Sequence, residues 1–240
     1  MIENRAAVVA LAAWLAAAPA AVAHEPAPPP LDFDPPRPGT YTLHRIMRAP
    51  DGEVLDLDGR ARRLSEFTRG HITLLGFIYT TCVDPEGCPL AYRVFETVRR
   101  ALEERHGFAG ARRGPGGLGG PEARPPIQLI QLVTLSFDPM RDTPSVMRRY
   151  AGSRVSEGGR SPRWYFLTTR SARELQPLVD GFGQDVRVTI DRSNGQARRE
   201  LSHVLKVFLI DPAGFVREIY TSTFLHPKTV LNDVKTLLME

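Results

Sequence analysis

Cysteine is scarce in this 240-residue sequence, which holds only Cys82 and Cys88. Two cysteines cannot form the framework of a disulfide-rich domain, so a packed core must stabilise the fold. Hydrophobic residues make up 42% of the chain and charged residues 24%, proportions that are typical of a soluble, folded domain. The two neighbouring cysteines leave three interpretations open: a structural disulfide, a redox pair or a metal site.

A concentrated charge of either sign is also missing. The formal net charge is +4, from 31 basic and 27 acidic side chains. The arginine pairs are scattered over different predicted elements, at 62–63, 99–100, 112–113, 148–149 and 198–199. They form no single basic stripe, so we do not expect a nucleic-acid partner.

Long apolar runs are absent except at the amino terminus. There Arg5 precedes an apolar run over residues 6–18, and Ala21-Val22-Ala23 supplies the small residues that a signal peptidase accepts. We predict a cleaved signal peptide over residues 1–23 and an exported, periplasmic protein. The alternative is an uncleaved anchor over residues 6–23, and only then do we expect membrane association.

Proline and glycine mark two segments that lack periodicity. Seven prolines in residues 25–38 favour an extended, Pro-rich tether over residues 24–38, followed by one folded domain over residues 39–240. Residues 107–126 contain seven glycines and four prolines, a composition that cannot bury enough surface to order itself. We predict that this second segment is a flexible insertion in the domain.

The central part of the chain reads as strand, loop and helix. Residues 72–79 form a continuous apolar run, as expected for a strand that is buried on both faces. A helix then begins at Pro89, and four apolar residues at every fourth position predict its buried face: Leu90, Val94, Val98 and Leu102. Residues 127–136 predict a second buried strand.

Strands and helices continue to alternate toward the carboxyl end. Ser193-Asn194-Gly195 predicts the turn of an inserted hairpin. The last helix begins at Pro227 and is expected to bury Val230, Val234 and Leu238. This order of elements predicts an α/β fold with three layers.

The positions of the cysteines favour chemistry over a purely structural disulfide. Cys82 follows the carboxyl end of a buried strand, where ligands gather in open α/β sheets. Cys88 precedes a helix, whose amino terminus stabilises a thiolate. His203 lies between the predicted hairpin and the next strand, a position at which a histidine taken alone is more often a surface or core residue than a ligand.

Three segments resemble the Sco/SenC family: FIYTTCVDPEGCPLA (77–91), LSFDPMRDTP (135–144) and SHVLKVFLIDPAG (202–214). They occur in the family's order, and the resemblance covers about residues 40–240. It implies a thioredoxin-like fold with a central mixed β-sheet. It also implies a copper chaperone or assembly factor, without substrate turnover, that serves the copper centre of a respiratory cytochrome c oxidase.

The same resemblance implies that Cys82, Cys88 and His203 bind copper. Two thiolates and an imidazole suit Cu(I) and can also hold Cu(II), whereas structural zinc normally takes four protein ligands. Many family members separate their cysteines by three residues, whereas five lie between them here, so the metal geometry depends on how this longer loop folds. Asp138 and Asp142 are candidates for orienting the ligands, although turn formation or helix capping explains them more simply.

A second function stays open beside copper delivery. The paired cysteines also suit a thiol–disulfide oxidoreductase that acts on the cysteines of an exported partner. When oxidised, Cys82 and Cys88 would form a redox-active disulfide, and a thiol reductase would then be a second partner besides the oxidase subunit. His203 separates the two functions, because thiol exchange does not need a distant histidine. A peroxiredoxin-like peroxidase is disfavoured, because its threonine and arginine cannot be assigned.

Overall fold

A computed structural model describes residues 30–109, 126–155, 159, 161–192 and 198–240 of the chain. The helices are α1 (Ser65–Thr68), α2 (Cys88–Ala109), α3 (Pro144–Ala151), α4 (Ala172–Gly181) and α5 (Pro227–Met239). The strands are β1 (Met47–Arg48), β2 (Glu53–Leu55), β3 (Ala61–Arg63), β4 (Ile72–Ile78), β5 (Ile130–Ser136), β6 (Arg163–Leu167), β7 (Val186–Asp191), β8 (Arg198–His203), β9 (Val207–Ile210) and β10 (Phe215–Tyr220).

A six-stranded mixed sheet forms the centre of the domain. Its strand order is β1-β10-β9-β4-β5-β6. The neighbours β4, β5 and β6 run parallel, whereas β9 pairs antiparallel with β4 and β10, and β1 pairs antiparallel with β10. The predicted central mixed sheet is therefore confirmed.

Helices cover both faces of this sheet, which confirms the predicted three layers. Leu74 of β4 packs with residues of α2, α3 and α5 in one apolar cluster. Leu75, its neighbour in the strand, packs with residues of α1 and α4 in a second cluster. Successive side chains of a strand point to opposite faces, so the continuous apolar run buries every residue of β4.

The inserted hairpin is also confirmed. Strands β7 and β8 pair with each other as a separate two-stranded sheet, with Val186 opposite His203. The predicted turn at residues 193–195 lies outside the described residues. Because His203 ends β8, the hairpin holds this histidine where the chain returns to the central sheet.

The predicted insertion at 107–126 is shorter than its composition suggested. Helix α2 continues to Ala109, and a 3-10 turn occupies Pro126–Leu129 before β5 begins at Ile130. The glycine-rich composition begins at Gly107, but helix α2 continues through this residue. Residues 110–125 lie outside the described residues.

Part of the predicted tether is docked on the domain. Pro35 is buried, and Asp34 pairs with Lys228 at 3.3 Å between carboxylate and ammonium. The Asn232 amide donates to the Pro36 carbonyl at 2.9 Å. Residues 31–38 therefore follow α5 as a strap instead of extending freely, because α5 offers both an apolar surface and polar partners.

The end of α5 differs from the prediction by one position. Val230 and Val234 are buried as expected, but Leu238 is 37% exposed and Leu237 is 8% exposed. A helical face recurs after three or four residues, and the three-residue step from Val234 faces the sheet here.

Among the described residues no helix has the length and apolarity that a bilayer span requires. The predicted signal peptide lies outside them.

Candidate metal and redox site

Three residues from different parts of the fold meet at the carboxyl end of β4. Cys82 lies in the loop after β4, Cys88 is the first residue of α2, and His203 ends β8. Their ligand atoms lie within 4.8 Å of one another, and the Cys88 Sγ is 3.8 Å from the His203 Nε2. Both cysteines are free thiols. Metal–sulfur and metal–nitrogen bonds of about 2.0 to 2.3 Å place the donors around one ion roughly 4 Å apart. A small contraction of the three side chains would therefore let one ion contact all of them.

The five-residue loop between the cysteines folds back on itself. The Gly87 N–H donates to the Asp84 carbonyl at 3.0 Å, and the Glu86 N–H donates to the Asp84 carboxylate at 3.0 Å. The Cys82 N–H donates to the Tyr79 carbonyl at 3.1 Å. These turns return the chain to the start of α2, so the longer loop still brings the two sulfurs together.

Aromatic rings surround the His203 imidazole. The ring of Phe137 lies 4.7 Å away at an interplanar angle of 67°, and that of Tyr79 lies 5.9 Å away at 84°. The Tyr79 hydroxyl donates to the Leu201 carbonyl of the hairpin at 3.3 Å. Edge-to-face contacts restrict the imidazole, so its Nε2 is held toward the sulfurs.

Other histidines that the structure describes have local contacts. The His71 Nδ1 lies 3.2 Å from the Arg69 carbonyl, and the His226 Nδ1 accepts from the Lys228 N–H at the start of α5. Only His203 belongs to a cluster of possible metal ligands among the described residues. Nothing local in the sequence marks this difference.

The two thiols have opposite pKa shifts. A hydrogen bond from the Cys88 thiol, aided by His203 and by backbone N–H groups, holds the pKa of Cys82 well below its usual range despite burial. The neighbouring Cys82 sulfur and burial raise the pKa of Cys88. Of the two thiols, Cys82 is therefore the one that ionises more readily. The sequence favoured a thiolate at the helix amino terminus, but at Cys88 the adjacent negative sulfur and burial outweigh the helix.

Asp142 supports the loop that carries Cys82. Its carboxylate is 1% exposed and accepts from the Thr80 N–H at 3.0 Å, the Thr80 hydroxyl at 2.5 Å and the Ser136 hydroxyl at 2.6 Å. The cap of α3 is Thr143, whose hydroxyl accepts from the Val146 N–H at 3.4 Å. Asp142 thus ties the ends of β4 and β5 together, and helix capping belongs to its neighbour.

Asp138 has a different place in the same loop. Its carbonyl accepts from the N–H groups of Arg141 and Asp142, and its own N–H donates to the Ser136 hydroxyl at 3.0 Å. This is the turn formation that the sequence offered as the simpler explanation. Neither aspartate belongs to the group of three candidate ligands among the described residues. Thr80 and Ser136, which anchor Asp142, carried no signal in the sequence beyond their places in the quoted segments.

Comparison with known proteins identifies the family. Residues 122–239 match the family model described as SCO1/SenC. The chain carries a SCO1/SenC domain over these residues, about half of its length. The matched span of this Sco/SenC chain contains Asp138, Asp142 and His203 but begins after both cysteines. The comparison with curated proteins gives no match.

Solved structures of other Sco proteins share the fold. Arabidopsis thaliana ScoI with copper bound is 18% identical with a TM-score of 0.57, covering 80% of this chain and 98% of that one. A SCO1/SenC family lipoprotein from Bacillus anthracis is 19% identical with a TM-score of 0.57, covering 80% and 95%. BsSco, a Sco-family cytochrome c oxidase assembly protein with a disulfide switch, is 18% identical with a TM-score of 0.53, covering 82% and 98%. The thioredoxin-like fold is therefore common to this chain and these proteins.

Proposed function

We propose that this chain is a copper-binding assembly factor that delivers copper to, or prepares, the copper centre of a respiratory cytochrome c oxidase. Cys82, Cys88 and His203 hold the copper, which is cargo and not a resident cofactor. The observation that carries this proposal is the convergence of their three ligand atoms within 4.8 Å. Membership of the Sco/SenC family supports the oxidase subunit as the recipient.

The donor set selects copper by its chemistry. Two sulfurs and one imidazole nitrogen satisfy three-coordinate Cu(I) and can also hold Cu(II). Among the described residues no fourth histidine, cysteine or carboxylate completes the four-ligand shell that structural zinc normally takes. Cys82 and His203 are half-buried, so the cargo can leave toward a partner without unfolding of the domain.

A second candidate function is thiol–disulfide exchange with an exported partner. The lowered pKa of Cys82 favours it, because a thiolate is the attacking species in exchange. A thiol reductase would then return the pair to the dithiol. The position of His203 favours copper binding over exchange. Its Nε2 lies near the Cys88 sulfur, and thiol exchange does not require a histidine there.

We place the mature protein outside the cytoplasm. The leader-like residues 1–23 support export, and a family relative described as a lipoprotein supports attachment to a membrane surface. We propose that its partners in this compartment are an exported oxidase subunit and a thiol reductase. Residues 6–23 would act as an anchor only if they are retained.

Copper titration of the reduced chain under nitrogen tests the proposal. We expect one copper per chain, and His203→Ala is expected to lower the affinity at least tenfold, because ligand loss should exceed the effect of losing a residue that only orients a ligand. His71→Ala is the matched control, because His71 lies near the Arg69 carbonyl and does not belong to the ligand group among the described residues. Wild-type affinity in His203→Ala would remove this histidine from the site.

Asp142→Ala is expected to lower copper affinity about tenfold although Asp142 is no ligand. Without its carboxylate, the Thr80 N–H loses its partner and the turn that leads to Cys82 is no longer held. Asp56→Ala is the matched control, because Asp56 also accepts backbone N–H donors, from Asp58 and Arg60. Competition with a Cu(I) chelator measures the affinity, and equal losses in both variants would contradict a specific role.

A further inference from the structure

An open cleft lies beside the two sulfurs. It has a volume of about 340 Å³, and its walls include both cysteines and the rings of Tyr79, Tyr92 and Tyr150. This volume lies in the range of small binding sites, which are about 300 to 1,000 Å³. His203 does not line the cleft. The cleft therefore gives a partner access to the half-buried Cys82 from a side that the histidine leaves open.

The cleft carries positive charge. Arg93 and Arg154 line it, and among the described residues no acidic side chain does. Arg93 donates from Nη2 to the Pro85 carbonyl at 3.1 Å, and within the described part of the chain it pairs with no carboxylate. Its Nε is shielded from water without a hydrogen-bond partner among the described residues. A shielded donor without a partner is costly and requires an explanation.

Arg154 is held in place by its neighbours. Its guanidinium lies 4.6 Å from the centroid of the Tyr92 ring and pairs with Glu96 at 3.3 Å. Glu96 also pairs with Arg99 at 2.8 Å, so one carboxylate serves more than one arginine. Aromatic rings and guanidinium groups together suit aromatic or apolar side chains next to carboxylates.

The acidic residues of the cysteine loop do not cancel this charge inside the cleft. Neither Asp84 nor Glu86 lines it. Glu86 instead lines a separate cavity with Leu31 and Asp32 of the strap. A polypeptide in the cleft therefore lies among arginine and tyrosine side chains beside Cys82.

We propose that the cleft lined by Tyr92, Arg93, Tyr150 and Arg154 docks an acidic, cysteine-bearing segment of the partner protein. The proposal rests on the proposed function, because it supposes a partner whose cysteines meet Cys82. Carboxylates of the segment pair with Arg93 and Arg154, and its apolar side chains lie against the tyrosine rings. The cleft thus selects the partner by charge and holds its cysteine at the Cys82 sulfur.

Two synthetic peptides test the charge selection. Each has eight residues with one central cysteine and one phenylalanine, activated as the mixed disulfide with 2-thiopyridine; one carries two glutamates and the other two lysines. In a Cys88→Ser chain the Cys82 thiolate attacks the peptide sulfur, a Cys82–peptide disulfide forms, and 2-thiopyridone leaves and is measured by absorbance. At low salt we expect the acidic peptide to react about tenfold faster, and the difference to shrink as salt screens the arginines.

Arginine variants locate the selection. Arg93→Gln is expected to lower the acidic-over-basic rate ratio about threefold. Arg93→Gln combined with Arg154→Gln should bring the ratio close to one, and Glu96 keeps Arg99 as its partner in that variant. Arg141→Gln is the matched control, because Arg141 is exposed in the loop that Asp142 ends and does not line the cleft. A Cys88→Ala chain repeats the series should the serine chain fold poorly.

Equal rates for the two peptides in the unmodified cleft would overturn the docking proposal. Equal effects of Arg93→Gln and Arg141→Gln would overturn it as well, because the selection would then come from overall charge. Copper stoichiometry of the same arginine variants, measured with both cysteines present, separates this proposal from the copper function. Equal peptide rates in the unmodified cleft, together with one copper per chain in the wild-type chain, defeat docking alone, whereas charge selection without copper binding in the wild-type chain defeats the copper function alone.

Discussion

Oxidation of Cys82 and Cys88 to a disulfide is expected to abolish tight copper binding. Disulfide formation removes two electrons and two protons from the thiols, and the resulting sulfurs have no charge with which to bind a metal. The sulfurs already lie within 4.8 Å of each other, so closing to the bond length of about 2 Å needs only a local movement of the loop. His203 alone would then remain of the three proposed ligands.

The measurement compares copper capacity with the thiol count. The chain is oxidised with diamide, which takes up the two electrons and two protons, until no free thiol remains, and Cu(I) is then titrated under nitrogen against a competing chelator. We expect capacity to fall in proportion to the oxidised fraction and to return after reduction with a phosphine. The doubly substituted chain, Cys82→Ser with Cys88→Ser, controls for oxidation elsewhere. Tight binding by the disulfide form would move the site away from the sulfurs.

Bound copper should also protect the pair from the oxidant. A ligand that binds only the dithiol form stabilises that form by mass action. At copper concentrations 100 times the dissociation constant, the stabilisation is about 2.7 kcal/mol. Oxidation at equal rates with and without copper would contradict binding through these thiolates.

Arg217→Met is expected to destabilise the domain by about 3 to 5 kcal/mol. Arg217 is 8% exposed and pairs with Asp211, which is 4% exposed, at 3.0 Å. Its guanidinium also donates to the Leu43 carbonyl and to the Glu240 carboxylate. The substitution leaves the Asp211 charge buried without its partner, and it disconnects Leu43 and Glu240 from β10.

Chemical denaturation measures the loss in free energy of unfolding. Arg60→Met is the matched control, because Arg60 pairs with Asp58 at the surface, where the side chains are 75% and 52% exposed; its effect should stay within about 0.5 kcal/mol. Adding Asp211→Asn to Arg217→Met should recover part of the loss, because the uncompensated charge is removed. A loss below about 1 kcal/mol in Arg217→Met would mean that the network contributes little to stability.

The local patterns of the chain predicted the elements that place the candidate site. The apolar run of β4 identified a strand buried on both faces, and the helix that follows begins within one residue of the predicted start at Pro89. A continuous apolar run and a proline at a helix start are patterns of neighbouring residues, so a single sequence carries them. The predicted insertion at 107–126 begins too early, because composition alone does not show that the preceding helix continues to Ala109.

What the sequence by itself determined is the α/β fold, the inserted hairpin and, through three quoted segments, the resemblance to the Sco/SenC family. Only the tertiary structure decided that His203 reaches two cysteines more than a hundred positions earlier in the chain, Cys88 being 115 positions before it. Only the structure assigned the low pKa to Cys82, tied Asp142 to Thr80, buried Arg217 and opened the cleft beside the sulfurs. The physical reason is common to all of these features. They depend on burial and on contacts between distant segments, which exist only after the sheet has assembled.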